Sequence, residues 1–365
     1  MTESVEIALQ KRLAEFVVPQ TNRSLGAGGT ELRVDMGEAA ARVTITCGFP
    51  LDRSRDRLLV EVSEWLKPLE LDLPVEIDLS GQVQSHAVQP GVKALPNIRN
   101  IIAIASGKGG VGKSTVTANV ALALAQEGAQ VGILDADIYG PSQPRILSLT
   151  GQRPETVGDN TMRPLLAYGV SVMSIGFLVE ERQALAWRGP MVTSALNQML
   201  AQTDWGELDY LFVDMPPGTG DIQLTLAQSV PVSGAVIVTT PQDIALSDAR
   251  KGVELFRKVS LPVLGIVENM AVHVCGKCGH EESIFGSEGG ARLANEYDVP
   301  LLGSLPLQRD VREHSDAGTP VVVADAEGAA AKAFRETALR IGGELAVTGR
   351  GYSHLFPDVA VEGTS

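Results

Sequence analysis

Cysteine is scarce: Cys47, Cys275 and Cys278 are the three in a chain of 365 residues. An odd and small number builds no disulfide framework, so each thiol has to be argued singly and the fold must rest on packing. Long apolar runs are missing as well. No stretch reaches the roughly 18 to 20 unbroken apolar residues of a membrane span, and the opening segment mixes acids in where a signal peptide carries a basic and then an apolar run. Positive charge is in deficit, with 30 Lys plus Arg against 44 Asp plus Glu, a formal charge of −14, and no basic block. Phosphate backbones and anionic lipid repel such a chain, so neither nucleic acid nor a membrane is expected as a partner, and the expected location is cytoplasmic. What is present is apolar side chain, 44% of residues. That suffices for at least one large core and excludes disorder along most of the length; two domains are the expectation from length.

The hydrophobic period changes along the chain. Val5, Leu9, Leu13 and Phe16 share one helical face, and Leu58, Leu59, Val62 and Leu66 share another. Between and after them, Leu32, Val34 and Met36, then Val43, Ile45 and Cys47, then Leu73, Val75, Ile77 and Leu79 alternate as half-buried strands. Residues 1–80 therefore read as a small α+β domain, and residues 81–97, rich in turn formers and without either period, as a linker. From residue 98 a different unit repeats: a short continuous apolar run, a Gly or Pro turn, then a helical stretch. The runs at 98–105, 131–134, 170–175, 208–213, 235–239, 263–267 and 301–302 are unalternated, as strands of a parallel sheet covered on both faces are. The expected class is α/β, a mostly parallel, doubly wound sheet spanning 98–345, with 346–365 as a polar tail.

The first of these strands ends in Ser106-Gly107-Lys108-Gly109-Gly110-Val111-Gly112-Lys113-Ser114-Thr115 and enters a helix. Glycines let the backbone wrap close to a phosphate with its N–H groups pointing inward, beside the positive end of the helix dipole. The spacing also satisfies the dinucleotide pattern G-x-G-x-x-G, with Asp135 at the next strand end. Lys113 and Ser114 decide between the two, because a P-loop needs an ammonium for the β and γ phosphates and a hydroxyl for magnesium, and a dinucleotide fold needs neither. Asp135 and Asp137 close the second strand, and Asp214 closes the run 208–213 as an acid expected to hold magnesium through water. The loop Pro216-Pro217-Gly218-Thr219-Gly220-Asp221 follows as a candidate γ-phosphate sensor. No N-K-x-D or T-K-x-D stretch follows a later strand, so adenine is preferred to guanine. Asn269 and Pro241-Gln242-Asp243 stand at the edge where a base would lie, and both also fit ordinary strand-end turns.

Lys108 within the glycine loop resembles the signature lysine of the deviant Walker A ATPases, the group of the septum-site and plasmid-partition proteins and nitrogenase iron protein. Within that group, Leu134-Asp-Ala-Asp-Ile-Tyr-Gly-Pro-Ser142, Trp187-Arg-Gly-Pro-Met191, Trp205-Gly-Glu-Leu-Asp-Tyr210, Asp214-Met-Pro-Pro-Gly-Thr-Gly-Asp221 and Gly265-Ile-Val-Glu-Asn-Met270 resemble the Mrp/ApbC iron-sulfur cluster carriers. The likeness runs over about residues 90 to 345, and the amino-terminal part is similar to the small cluster-assembly-type domain that often precedes the ATPase. It departs from that domain's Cys-Pro motif, reading Thr46-Cys47-Gly48-Phe49-Pro50. The resemblance implies a homodimer sandwiching ATP, in which Lys108 acts in trans, Lys113 in cis, Ser114 ligates Mg2+, Asp137 orients the attacking water and Asp214 holds the metal's outer shell. The phosphate and magnesium roles also follow from the residues; the trans role of Lys108 rests on the resemblance. Apo iron-sulfur proteins and cluster scaffold proteins are the partners it implies.

The segment His273-Val-Cys275-Gly-Lys-Cys278-Gly-His280 leaves three readings open. Two thiolates are half of what tetrahedral zinc or a cubane needs. His273 and His280 would complete an intrachain zinc site. A second copy would supply two more thiolates for a bridging iron-sulfur cluster of the 4Fe-4S kind, as the resemblance implies. A redox pair wants its first cysteine at a helix N-terminus, and no helical period follows Cys278. Cys47, alternating with Val43 and Ile45, reads as a buried strand thiol. Two functions are carried forward: an ATP-hydrolysing carrier of a labile iron-sulfur cluster, and a nucleotide-switched positioning or partition ATPase.

Overall fold

A computed structural model of the chain describes residues 2–69, 71, 73–89, 92–157, 161–178 and 189–348. Trp187 and Arg188 of the motif quoted above, and the stretch 349–365 of the expected tail, lie outside the described residues.

Helix α1 (Thr2–Glu15), strands β1 (Thr30–Met36) and β2 (Ala41–Cys47), helix α2 (Arg55–Leu66) and strand β3 (Val75–Gly81) form the first unit. β2 is central, antiparallel to β1 and parallel to β3. Alternation along β2 sends Ala41, Val43, Ile45 and Cys47 to one face, where each is fully buried. Leu9 and Leu13 of α1 and Leu58 and Val62 of α2 cover that face, so one core serves two helices and a three-stranded sheet.

The second unit is built on β4 (Ile98–Ala105), α3 (Lys113–Gln126), β5 (Val131–Asp135), β6 (Leu165–Ala167), β7 (Val170–Ser174), α4 (Gly189–Gln202), β8 (Leu208–Asp214), α5 (Asp221–Ser229), β9 (Gly234–Thr239), α6 (Asp243–Lys258) and β10 (Val263–Glu268). A short hairpin, β11 (His273–Val274) and β12 (Glu281–Glu282), is followed by α7 (Gly289–Tyr297), β13 (Leu301–Ser304), α8 (Arg309–Asp316) and α9 (Ala329–Thr348). Among the described residues the large sheet has eight strands, in the order β6-β7-β5-β8-β4-β9-β10-β13. All neighbours are parallel except the edge pair β6 and β7. The central strands are mostly apolar and without alternation because both faces are covered; β8 and β9 are buried at every position. Strand order reverses about β4, with β8, β5 and β7 on one side and β9, β10 and β13 on the other, which opens the crevice of a doubly wound sheet at the end of β4.

The two units are joined by polar contacts as well as packing. Arg23 forks onto Glu344 of α9, Nε to Oε1 at 2.7 Å and Nη2 to Oε2 at 2.5 Å. Ser54, ahead of α2, donates its N–H and hydroxyl to Glu127 at the end of α3, at 2.9 and 2.7 Å. Leu339 of α9 joins the core of the small unit. The connecting segment is docked on the second unit. The Gln89 amide, buried, donates to the carbonyls of Ala227 and Val230 at 2.8 and 2.6 Å and accepts from the Val232 N–H at 3.1 Å.

Candidate functional site

The glycine loop bridges β4 and α3 at the reversal point. Gly110 and Gly112 take left-handed φ values of +82° and +83°, which side chains rarely tolerate. A Cβ at Gly107 would overlap the backbone of Asp248 in α6, and one at Gly112 would overlap the Asn269 amide. Asn269, expected near a base, is buried beneath this loop, its Nδ2 donating to the Val111 carbonyl at 2.8 Å. Its donor therefore holds up the loop, a role the spacing did not indicate.

Parallel register brings the acids together. Asp214 pairs with Asp135 across β8 and β5, and with Ile104 across β8 and β4, immediately before the loop. Lys113 is 6% exposed and Asp135 and Asp214 are 0% exposed. The Lys113 ammonium donates to Asp214 Oδ1 at 2.5 Å, and the Thr117 hydroxyl reaches the same oxygen at 3.2 Å. Gln143 Nε2 donates to Asp214 Oδ2 at 2.9 Å and to the Ser114 carbonyl at 3.0 Å. Asp135 accepts from the N–H groups of Asp137 and Gln143 at 3.2 and 3.1 Å, and from the Ser174 hydroxyl at 3.1 Å.

Two buried carboxylates thus face one ammonium. Burial, and after it the Asp214 charge, push the Asp135 carboxyl up to about 7 against the pull of Lys113. Asp137, half-buried, is raised by burial while Lys113 pulls it down; its Oδ1 accepts from the Gly140 N–H at 3.2 Å. Ser114 and Thr115 are half-buried at the start of α3. The Lys108 backbone carbonyl accepts from Ser106 Oγ at 2.9 Å, and among the described residues its ammonium makes no ion pair. Gly109 and Gly110 are exposed at the loop's outer turn. Loop, lysine, hydroxyl and acids therefore lie on one sheet edge, an arrangement that can hold a nucleoside triphosphate and a divalent cation.

Cys275 and Cys278 lie elsewhere in sequence but leave the same strand edge, since the chain runs from β10 through Asn269 into the β11–β12 hairpin. The turn is closed by Cys275 N–H to the His280 carbonyl and Gly279 N–H to the Cys275 carbonyl, both at 2.9 Å. Cys275 is half-buried and Cys278 exposed. N–H groups of Lys277 and Cys278, and then the Cys278 thiol, hold the Cys275 thiol below its ordinary value, which favours the thiolate a metal needs. His273 Nδ1 lies 3.2 Å from the Leu307 carbonyl and His280 is exposed. Among the described residues no group of three or more His, Cys, Asp or Glu is gathered to hold a metal within the chain. Cys47 is fully buried, and burial pushes its thiol up to about 12.

Sequence reasoning missed Gln143, Thr117 and Ser174. Thr117 carried a signal, one helical turn after Lys113; a glutamine opening a short helix and a serine ending a strand carry none.

A family model described as the ParA-type NUBPL iron-transfer P-loop NTPase matches residues 97–342. The iron-sulfur cluster carrier protein of Haemophilus influenzae is 46% identical over 346 residues, covering 94% of this chain and 93% of that one. The iron-sulfur cluster carrier protein of Pseudomonas fragi is 56% identical over 268 residues, 73% of this chain and 93% of its own. Among solved structures, a nucleotide-binding protein of Archaeoglobus fulgidus in complex with ADP is 40% identical, with a TM-score of 0.56 over 64% of this chain and 90% of that one.

Proposed function

This chain belongs to the ParA-type NUBPL iron-transfer P-loop NTPases, and from that premise we propose that it binds and hydrolyses ATP and carries an iron-sulfur cluster, as cargo, to apoproteins. The names of its relatives favour the carrier over the positioning or partition reading. No helix among the described residues is long and apolar enough to cross a membrane.

The loop 107–115 cradles the phosphates with its N–H groups, and Lys113 moves from Asp214 to the β and γ phosphates when nucleotide arrives. The donor set fits magnesium, because two buried carboxylates and the Ser114 residue stand beside a single ammonium. Magnesium would be held by the Ser114 hydroxyl and, through water, by Asp214, and would neutralise phosphate charge. Asp137 accepts a hydrogen bond from the water that attacks the γ phosphorus. Lys108, its ammonium free of ion pairs among the described residues, reaches the phosphates of a second copy. Asn269 supports the loop from below and presents its remaining amide oxygen toward an adenine.

The cargo sits on Cys275 and Cys278. One observation carries this: a thiol pair at an accessible hairpin turn, with no third ligand gathered beside it among the described residues. Two thiolates per chain become four when two chains meet, so the proposed cluster bridges a homodimer; the family resemblance, and not the thiolate count, makes it the 4Fe-4S kind. An accessible site on a symmetry axis lets recipient thiolates attack, and partners are apo iron-sulfur proteins and cluster scaffolds. Anaerobic reconstitution with iron and sulfide, followed by iron analysis, Mössbauer spectra and native mass, tests the reading. It expects one cluster per two chains, lost in Cys275→Ser and in Cys278→Ser. One zinc per chain, abolished in a His273→Ala, His280→Ala double variant, contradicts it.

A further inference from the structure

Gln143 joins the segments of the nucleotide site more closely than any residue assigned a role above. It is fully buried and opens a short helix, Gln143–Ile146, at the end of the stretch that carries Asp137. Its Nε2 donates to Asp214 Oδ2 at 2.9 Å and to the Ser114 carbonyl at 3.0 Å, while its backbone N–H donates to Asp135 Oδ2 at 3.1 Å. The amide cannot be turned over, since its oxygen would then oppose a carboxylate and a carbonyl, both acceptors. Among the described residues its Oε1 is buried without a hydrogen-bond partner. A buried acceptor left unpaired costs free energy, so its presence inside a polar site calls for a function.

Asp214 is held from two sides, by Lys113 and Thr117 on Oδ1 and by Gln143 on Oδ2. Of these donors, Lys113 is the one a phosphate competes for. When it transfers, Thr117 and Gln143 keep the carboxylate oriented, and of the two only Gln143 is also bonded to Ser114. The Gln143 side-chain amide thus ties the Ser114 carbonyl directly to Asp214, joining the two residues assigned to magnesium.

We propose that Gln143 is a positioning residue for magnesium: it keeps Asp214 registered against Ser114 once Lys113 has moved to nucleotide, and its unpartnered Oε1 offers an acceptor to the ion's water shell. Because Gln143 also ends the Asp137 stretch and caps Asp135, displacement of the water-orienting loop is transmitted to the metal. The inference rests on the nucleotide reading above.

Equilibrium binding of fluorescent ADP, with magnesium and in EDTA, tests it without recourse to turnover. Gln143→Met keeps the volume and removes the amide; Gln143→Asn keeps the amide and shortens its reach, and covers the case in which the methionine variant fails to fold, as checked by circular dichroism. In wild type, magnesium tightens ADP binding. In the variants that enhancement falls by on the order of tenfold, the loss of a hydrogen bond to a charged group, while affinity in EDTA stays within about twofold. An unchanged enhancement, or a parallel loss in both conditions as a packing role requires, overturns the proposal. A wild-type chain that binds no ADP overturns the nucleotide reading itself, and with it this inference, whereas wild-type enhancement beside unaltered variants overturns only the role of Gln143.

Discussion

Lys113→Met should destabilise the metal-free protein, and should do so increasingly as pH rises. Lys113 is the ammonium placed against Asp214 at 2.5 Å, and it is also the charge that pulls the Asp135 carboxyl down. Both carboxylates are fully buried. Removing one partner of a buried ion pair leaves an uncompensated charge and costs about 3–5 kcal/mol. The pH dependence follows from Asp135, whose folded value of about 7 lies above the unfolded value of about 3.9. A carboxylate raised on folding contributes stability that is fully present below its unfolded value and is lost as pH rises through its folded value. Without Lys113 the folded value moves higher still, each further unit representing about 1.4 kcal/mol at pH above it. The loss should therefore be larger at about pH 8.5 than at about pH 5.5, where Asp135 is protonated in both proteins. Urea midpoints of wild type and variant in EDTA at the two pH values measure it. Adding Asp214→Asn should recover much of the loss, since the charge left behind is then removed. A loss below about 1 kcal/mol at both pH values, or one that shrinks as pH rises, would refute the reasoning.

Three other outcomes follow from single contacts. Gly107→Ala places a methyl group against the Asp248 backbone and should abolish ADP binding, read by calorimetry, while circular dichroism shows the sheet retained. A disulfide reagent at neutral pH should titrate Cys275 and Cys278 in the cluster-free protein and reach Cys47 only after denaturation, because that thiol is buried and pushed up to about 12. Arg23→Ala breaks the fork to Glu344, and with the arginine 42% exposed the cost should be about 1–2 kcal/mol, seen as faster proteolysis between the two units.

The strands of the large sheet were legible because both its faces are covered: β4 is apolar without alternation from Ile101 to Ala105, and the glycine loop after it carries its lysine and hydroxyl at fixed spacing. The alternation of Val43, Ile45 and Cys47 was equally readable, since one face of β2 is buried. The edge strand Leu165–Ala167, three residues long and antiparallel, was too short to have a period. Contacts between distant segments left no trace in local pattern. Arg23 meets Glu344 and Gln89 meets Ala227 through side chains that read locally as solvated loop or helix-surface residues. Asn269 was marked by its place at a strand end, yet its bond to Val111 depends on how closely β10 passes under the loop. Gln143 needed Ser114, Asp135 and Asp214 already assembled before its amide had any meaning.

The central claim is that Cys275 and Cys278 hold a cluster in order to give it away. The most direct measurement mixes reconstituted, desalted protein with an apo iron-sulfur enzyme under anaerobic conditions, and follows recovered enzyme activity beside the donor's visible absorption. The account predicts activity regained in proportion to cluster lost by the donor, a rate altered by Mg-ATP, and no recovery from Cys278→Ser. A donor that keeps its cluster, or loses it to chelator without activating the recipient, contradicts the claim.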